Sequence, residues 1–165
     1  MIRFPVESIR HLFAVQAIVK KFFIFRSMSA REKKSFLIAI LGLPLFSAGL
    51  NLFGLARFQS WLDRSPLASN VPLSRPDAAV LGVAVNRAAN HVYGSATCLA
   101  RSLLLRRLLR GFGTVSDLRI GVRLEEGKLA AHAWVEIDGM PINDSPDVAS
   151  HFAAFDQSVS PKMFS

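Results

Sequence analysis

Residues 97–144 read TCLARSLLLRRLLRGFGTVSDLRIGVRLEEGKLAAHAWVEIDGMPIND. Its first part has the period of a helix. Leu99, Leu103, Leu104, Leu108 and Leu109 recur at four and five residues, the apolar set of a helix from about residue 97 to 110. Arg101, Arg106, Arg107 and Arg110 make the other face, and Gly111 and Gly113 end it. The period then shortens to two. Residues 117–124 and 129–137 alternate as strands, with a turn over 125–128 between them. Asp138-Gly139 is a hairpin signal, and a short strand over 140–143 ends at Asp144. A helix followed by three antiparallel strands predicts an α+β fold.

Upstream, Ser74 followed by Pro76 and Asp77 has the pattern of a helix start, with Ser74 as N-cap. That helix runs to about Asn90, with Val80, Val83, Val85 and Ala88 or Ala89 turned inward, and His91-Val92-Tyr93-Gly94-Ser95 breaks it. Residues 64–76, RSPLASNVPLSRP, hold three prolines and three serines and read as a linker. The chain thus divides into an apolar helical N-terminal region (1–63), a linker (64–76) and a compact core (77–165). Within the first region, Ile9, Leu12, Phe13, Ile18, Val19 and Phe22 have the spacing of an amphipathic helix over 5–26, with Lys20, Lys21 and Arg26 near its end. Residues 36–55 carry no charge over twenty positions, the length of a bilayer span. Pro44, three glycines, Ser47 and Asn51 favour instead a pair of buried helices broken near residues 42–44, since proline interrupts a helix interior. Association with a membrane surface is the intermediate reading.

The 165 residues are 51% hydrophobic and 19% charged, enough for a proper core and against global disorder. A net charge of +8 favours acidic partners, without choosing among a peptide, an anionic membrane and nucleic acid. Nucleic acid has only that charge behind it, with no interleaved aromatics or motif, and is not expected. One cysteine excludes an intramolecular disulfide and fits a reducing compartment, most simply the cytoplasm. The N-terminus MIRFPVESIRHLF lacks the pattern of a signal peptide. His91 and His151 lack short ligand spacing to Cys98 and His132, so no metal is expected, and no cofactor.

Three residues stand out chemically. Cys98 falls at a helix start, where unpaired amides and the positive dipole end favour a thiolate; otherwise it is a small buried hydrophobe. His132 lies mid-strand among small and apolar residues, where an unpaired imidazole would be costly. It is either a satisfied core histidine or a general base between a thiolate and a carboxylate. Asp144 is a turn residue or the orienter of that base. A strict two-residue Asp138-Gly139 loop pairs Ala133 with Asp144 and puts Asn143 on the face of His132, unless an odd loop or a bulge intervenes. By spacing alone, Asn143 and Asp144 both remain candidates. Trp134, two residues along the strand, is core or a shield for the site.

Four segments carry a resemblance: Thr97-Cys98-Leu99-Ala100-Arg101-Ser102-Leu103; Leu118-Arg119-Ile120-Gly121-Val122-Arg123; Ala131-His132-Ala133-Trp134-Val135-Glu136 with Gly139; and Asn143-Asp144 with Pro146-Asp147-Val148 and Phe152. With them, residues 78–156 resemble the lasso-peptide leader peptidases, the protease half of the lasso biosynthetic B proteins, within the transglutaminase-like superfamily. The resemblance implies a papain/transglutaminase-like core, with the nucleophile at a helix N-terminus and His and Asp on adjacent antiparallel strands. It implies Cys98 as nucleophile, His132 as base and then acid, and Asp144 rather than Asn143 as orienter. The implied substrate is a ribosomal precursor peptide, cut between leader and core before a separate ATP-dependent cyclase closes the ring. Residues 1–60 are too apolar for the leader-binding domain of the undivided family members, so a separate leader-recognition protein is expected. Acyl transfer to an amine on the same triad, and a catalytically idle scaffold for the cyclase or a membrane, are the alternatives. The Arg101, Arg106, Arg107 and Arg110 face is a solvated surface or a grip on an acidic leader or partner.

Overall fold

The computed structural model describes residues 29–67, 71–92 and 96–155. The amphipathic helix expected over 5–26 lies outside the described residues, as do Tyr93, Gly94 and Ser95. Helix α1 spans Ala30–Asp63, α2 Arg75–Ala89 and α3 Cys98–Gly111. Strands β1 (Asp117–Glu125), β2 (Lys128–Ile137) and β3 (Met140–Pro141) follow, then a single turn α4 (Val148–His151) and β4 (Ala153–Ala154). The four strands form one antiparallel sheet in the order β3-β2-β1-β4.

Each long helix starts at a side-chain cap that satisfies an otherwise orphaned amide. Ser29 and Glu32 form a capping box on α1, Ser74 accepts from the Asp77 amide on α2, and Thr97 accepts from the Ala100 amide on α3. The two hairpins close through Glu126-Gly127 and Asp138-Gly139, all four residues having positive φ, as type I′ turns require.

Two expectations are corrected. Helix α1 runs unbroken through Pro44 and departs from helical geometry only at Gly54, with φ 71° and ψ 166°. Tertiary packing outweighs the local interruption: Gly42 lies against Leu104 of α3, where a Cβ would stand 3.0 Å from a Leu104 methyl, and Ala39 and Leu43 are fully buried. Residues 36–55 therefore belong to one long helix, not two buried helices; Ala39 and Leu43 lie on its buried face, and Leu37, Leu41, Leu45 and Leu52 are exposed. In α2, Val80 and Val83 are exposed, because the buried stripe runs through Ala78, Leu81, Val85 and Ala88, a spacing of three and four residues. The expected inward set holds only at Val85, Ala88 and Ala89.

Leu43, Leu81, Val85, Leu104, Leu105, Leu109 and Val135 join α1, α2, α3 and the inner face of β2 in one core. Phe58, Leu62, Leu103, Leu118 and Ala133 form a second, between α1, α3 and the sheet. Ala133 and Val135 thus face the helices, and His132, Trp134 and Glu136 take the opposite side of β2, as strand alternation requires.

Candidate active site

Cys98 is the first residue of α3, immediately after the Thr97 cap, and is partly exposed. Its position is the positive dipole end of the helix, where the Ala100 amide is taken by Thr97 and the first amides lack intrahelical partners. His132 lies in the middle of β2, opposite Gly121 of β1. Its Nε2 is 2.6 Å from Asp144 Oδ2, and both side chains are about one-quarter exposed, at 24% and 27%. The second oxygen of Asp144 accepts from the Ser145 amide at 2.9 Å. Cys98, His132 and Asp144 line one cleft of about 280 Å3, with Asn86, Arg101, Ala133 and Asn143. The structure thus places the three sequence-selected residues on one cleft, with His132 and Asp144 hydrogen-bonded and no hydrogen bond between Cys98 and His132 among the described residues.

Asp144 reaches His132 by a route other than a bulge or an odd loop. The Asp138-Gly139 loop is strict, pairing Ile137 with Met140 and Glu136 with Pro141. Regular pairing ends at Pro141, although the Ile142 amide still donates to the Val135 carbonyl at 2.9 Å. The Val135 amide then takes the side-chain Oδ1 of Asn143 at 2.8 Å in place of a ladder carbonyl. Residues 142–144 bend, Asn143 turns into the protein, and Asp144 meets the imidazole. The carboxylate is therefore just beyond the strand that was expected to carry it.

Ser102 lies one turn below Cys98 and is fully buried. Its hydroxyl donates to the Ala133 carbonyl at 3.0 Å and accepts from Asn143 Nδ2 at 3.3 Å. One hydroxyl therefore ties the Cys98 helix to the His132 strand and to the Asp144 segment. From α2, Asn86 Nδ2 donates to the Asn143 carbonyl at 2.7 Å. Gly82, one turn earlier, touches the same segment so closely that a Cβ would stand 2.5 Å from the Ile142 carbonyl oxygen. Ser102, Asn86 and Gly82 were not singled out from sequence. The available signal was Ser102 itself, a polar residue within the leucine face of α3.

Aromatic packing fixes the imidazole on its other side. The His132 ring lies 5.0 Å from Phe152 and 6.1 Å from Trp134, centroid to centroid. Trp134 is both core and neighbour to the site: its side chain is fully buried and its indole N–H donates to Glu136 at 2.8 Å. Glu136 also holds Arg119 at 2.9 Å, and the Arg123 guanidinium caps the Phe152 ring at 4.6 Å. Gly121 makes room for this stack, since a Cβ there would come within 2.8 Å of Phe152 and 3.0 Å of Trp134. His91 lies edge-on to Phe36 and His151 bonds Asp147, both apart from the Cys98 cleft. Asp147 is held below the usual carboxylate range, first by the Ser145 side chain and then by His151.

A helix-terminal thiol and a hydrogen-bonded histidine–carboxylate pair on one cleft, carried by helices packed on an antiparallel sheet, define the papain- and transglutaminase-like class. Residues 41–155 match the transglutaminase-like superfamily. The chain belongs to this superfamily, whose members are typically cysteine peptidases or acyltransferases. No curated protein and no solved structure matches it.

Proposed function

We propose that the protein is a cysteine peptidase that removes the leader from a ribosomally made lasso-peptide precursor, with Cys98, His132 and Asp144 as its triad. The observation that carries this reading is the 2.6 Å contact between His132 Nε2 and Asp144 on the cleft that Cys98 also lines. Asp144 accepts a hydrogen bond from Nε2–H, which keeps the proton on Nε2 and leaves Nδ1 with the lone pair that takes the Cys98 proton. The thiolate adds to the scissile carbonyl carbon. As the C–N bond breaks, His132 gives its proton to the leaving amine, and the leader remains as a thioester. Water, losing a proton to His132, then adds to the thioester; the C–S bond breaks and the leader leaves with a new carboxylate. The Cys98 backbone N–H serves as one oxyanion donor, an interaction worth about 3 kcal/mol in such sites.

The precursor and the partners in this reading rest on the resemblance of the four segments. Leader recognition falls to a separate protein, and the ATP-dependent lasso cyclase consumes the freed core. The exposed apolar face of α1 fits work at the cytoplasmic membrane surface.

Mass spectrometry of the precursor after exposure to the protein, with and without the leader-binding partner, tests the proposal. Leader and core fragments are expected, and Cys98→Ala should lose cleavage while keeping partner binding. Products joined to an added amine, with no free leader acid, would move the chain to the acyltransferases. Cleavage that survives Cys98→Ala would end the triad reading.

A further inference from the structure

Four arginines are spread along the Cys98 helix, and the fold separates their roles. Arg106 binds Asp63 at 3.1 Å and the Ser116 carbonyl at 3.2 Å. Arg110 donates to the Ser65 carbonyl. Arg107 lines a separate cleft with Leu62, Thr114 and Val115. Arg101 alone of the four lines the cleft of Cys98, His132 and Asp144.

Among the described residues, the buried Arg101 Nε has no hydrogen-bond partner and its guanidinium forms no ion pair. The carboxylate that lines the same cleft is already engaged: Asp144 gives one oxygen to His132 and the other to the Ser145 amide. A guanidinium is charged at every pH a protein meets, and a partly buried one without an anion lacks the partner its planar fork is shaped for. Arg101 follows Cys98 by three residues, and positions three apart share a helix face. An anion on Arg101 would therefore lie beside the group that Cys98 attacks.

We infer that Arg101 is a carboxylate-binding subsite of the Cys98 cleft, selecting peptides that carry an acidic group next to the bond attacked. This deepens the peptidase reading and rests on it. The shared chemistry is a carboxylate, supplied by an Asp or Glu side chain on the acyl side or by a carboxylate on the leaving side. Arg101 binds it as a fork, so charge alone does not replace it.

The test uses the whole protein and two alkylating probes that differ in one group, iodoacetate and iodoacetamide. With each, the Cys98 sulfur forms a C–S bond as the C–I bond breaks and iodide leaves. Both probes report the thiolate; only iodoacetate also reports the carboxylate subsite, so the ratio of the two rates isolates Arg101 from its effect on the thiol. The wild type should favour iodoacetate more than glutathione does. Arg101→Gln should lower that ratio roughly ten- to a hundredfold, the scale of one hydrogen bond to a charged group. Arg101→Lys should restore part of it, and Arg107→Gln, which removes an equal charge elsewhere on α3, should leave it unchanged. An equal ratio in wild type and Arg101→Gln, or an equal loss in Arg107→Gln, overturns the subsite and leaves the triad standing. If neither probe modifies Cys98 faster than glutathione, the triad reading falls and takes this one with it. Should Arg101→Gln not fold, a wild-type ratio no higher than that of glutathione overturns the subsite by itself.

Chloromethyl ketones ending in Asp or Asn locate the carboxylate. An Arg101-dependent preference for Asp places it on the acyl side. No such preference, with the iodoacetate effect intact, places it on the leaving side.

Discussion

Asn143 and Asp144 are adjacent in the chain and face opposite ways. Asn143 turns inward to the Val135 amide and to Ser102, and Asp144 turns to His132. Substituting each should give a different failure. Asp144→Asn keeps the shape but can donate to Nε2, favouring the wrong imidazole tautomer; kcat for precursor cleavage should fall by about 10⁴, with little change in melting temperature because the site is part-exposed. Asn143→Ala leaves the buried Val135 amide unpaired and should cost about 1–3 kcal/mol in urea unfolding. Loss of activity without loss of stability in Asn143→Ala would mean that Asn143, and not Asp144, acts on the reaction. At this scale the sequence was legible in part. Residue type selected Cys98 and His132, but alternation along a strand put Asn143 on the histidine face. Only a bend made by the Asn143 side chain itself reverses that, and no period reveals it.

Helices and strands were legible where a period ran long enough. The leucine face of α3, the two hairpins and the Ser74 cap all follow from local chemistry. Local rules misled at Pro44, where packing on α3 carries the helix through, and at Val80 and Val83, where β-branched apolar residues occupy a solvent face. What positions the site is contact between elements, which has no local pattern. Gly82 of α2 is the clearest case, since its missing side chain admits the Ile142–Asn143 backbone. Gly82→Ala must push that backbone or tilt α2, so it should destabilise by about 1–3 kcal/mol. Its effect should not stop there, because the displaced segment carries Asp144. Cleavage measured well below the unfolding transition, where the protein is fully folded, should still show a reduced kcat. Normal kcat in folded Gly82→Ala would mean that Asp144 is placed independently of α2.

At the scale of the molecule, two surfaces of opposite character coexist. The net charge is +8, yet α1 exposes Leu41, Leu45 and Leu52 at 72%, 70% and 76%, with Trp61 beyond the Gly54 kink. The kink folds Leu45, Leu52, Phe53, Phe58 and Trp61 around an apolar groove with Arg57 in its lining. No acidic residue lies between Glu32 and Asp63, and Lys34 and Arg57 fall within that interval. An apolar helix face framed by cations has the chemistry of a contact with an anionic bilayer. Burying a leucine is worth about 1.5–3 kcal/mol, so three half-sunk leucines give a reversible hold that charge would strengthen. The protein should therefore sediment with vesicles containing phosphatidylserine, and less with neutral ones. Leu41→Glu with Leu45→Glu should abolish sedimentation without loss of fold, because neither side chain is in the core. Alkylation of Cys98 should be unchanged in that variant, since the α1 stripe and the cleft are lined by different residues. Retained sedimentation would assign the attraction to general charge alone, and raised salt would then remove it entirely.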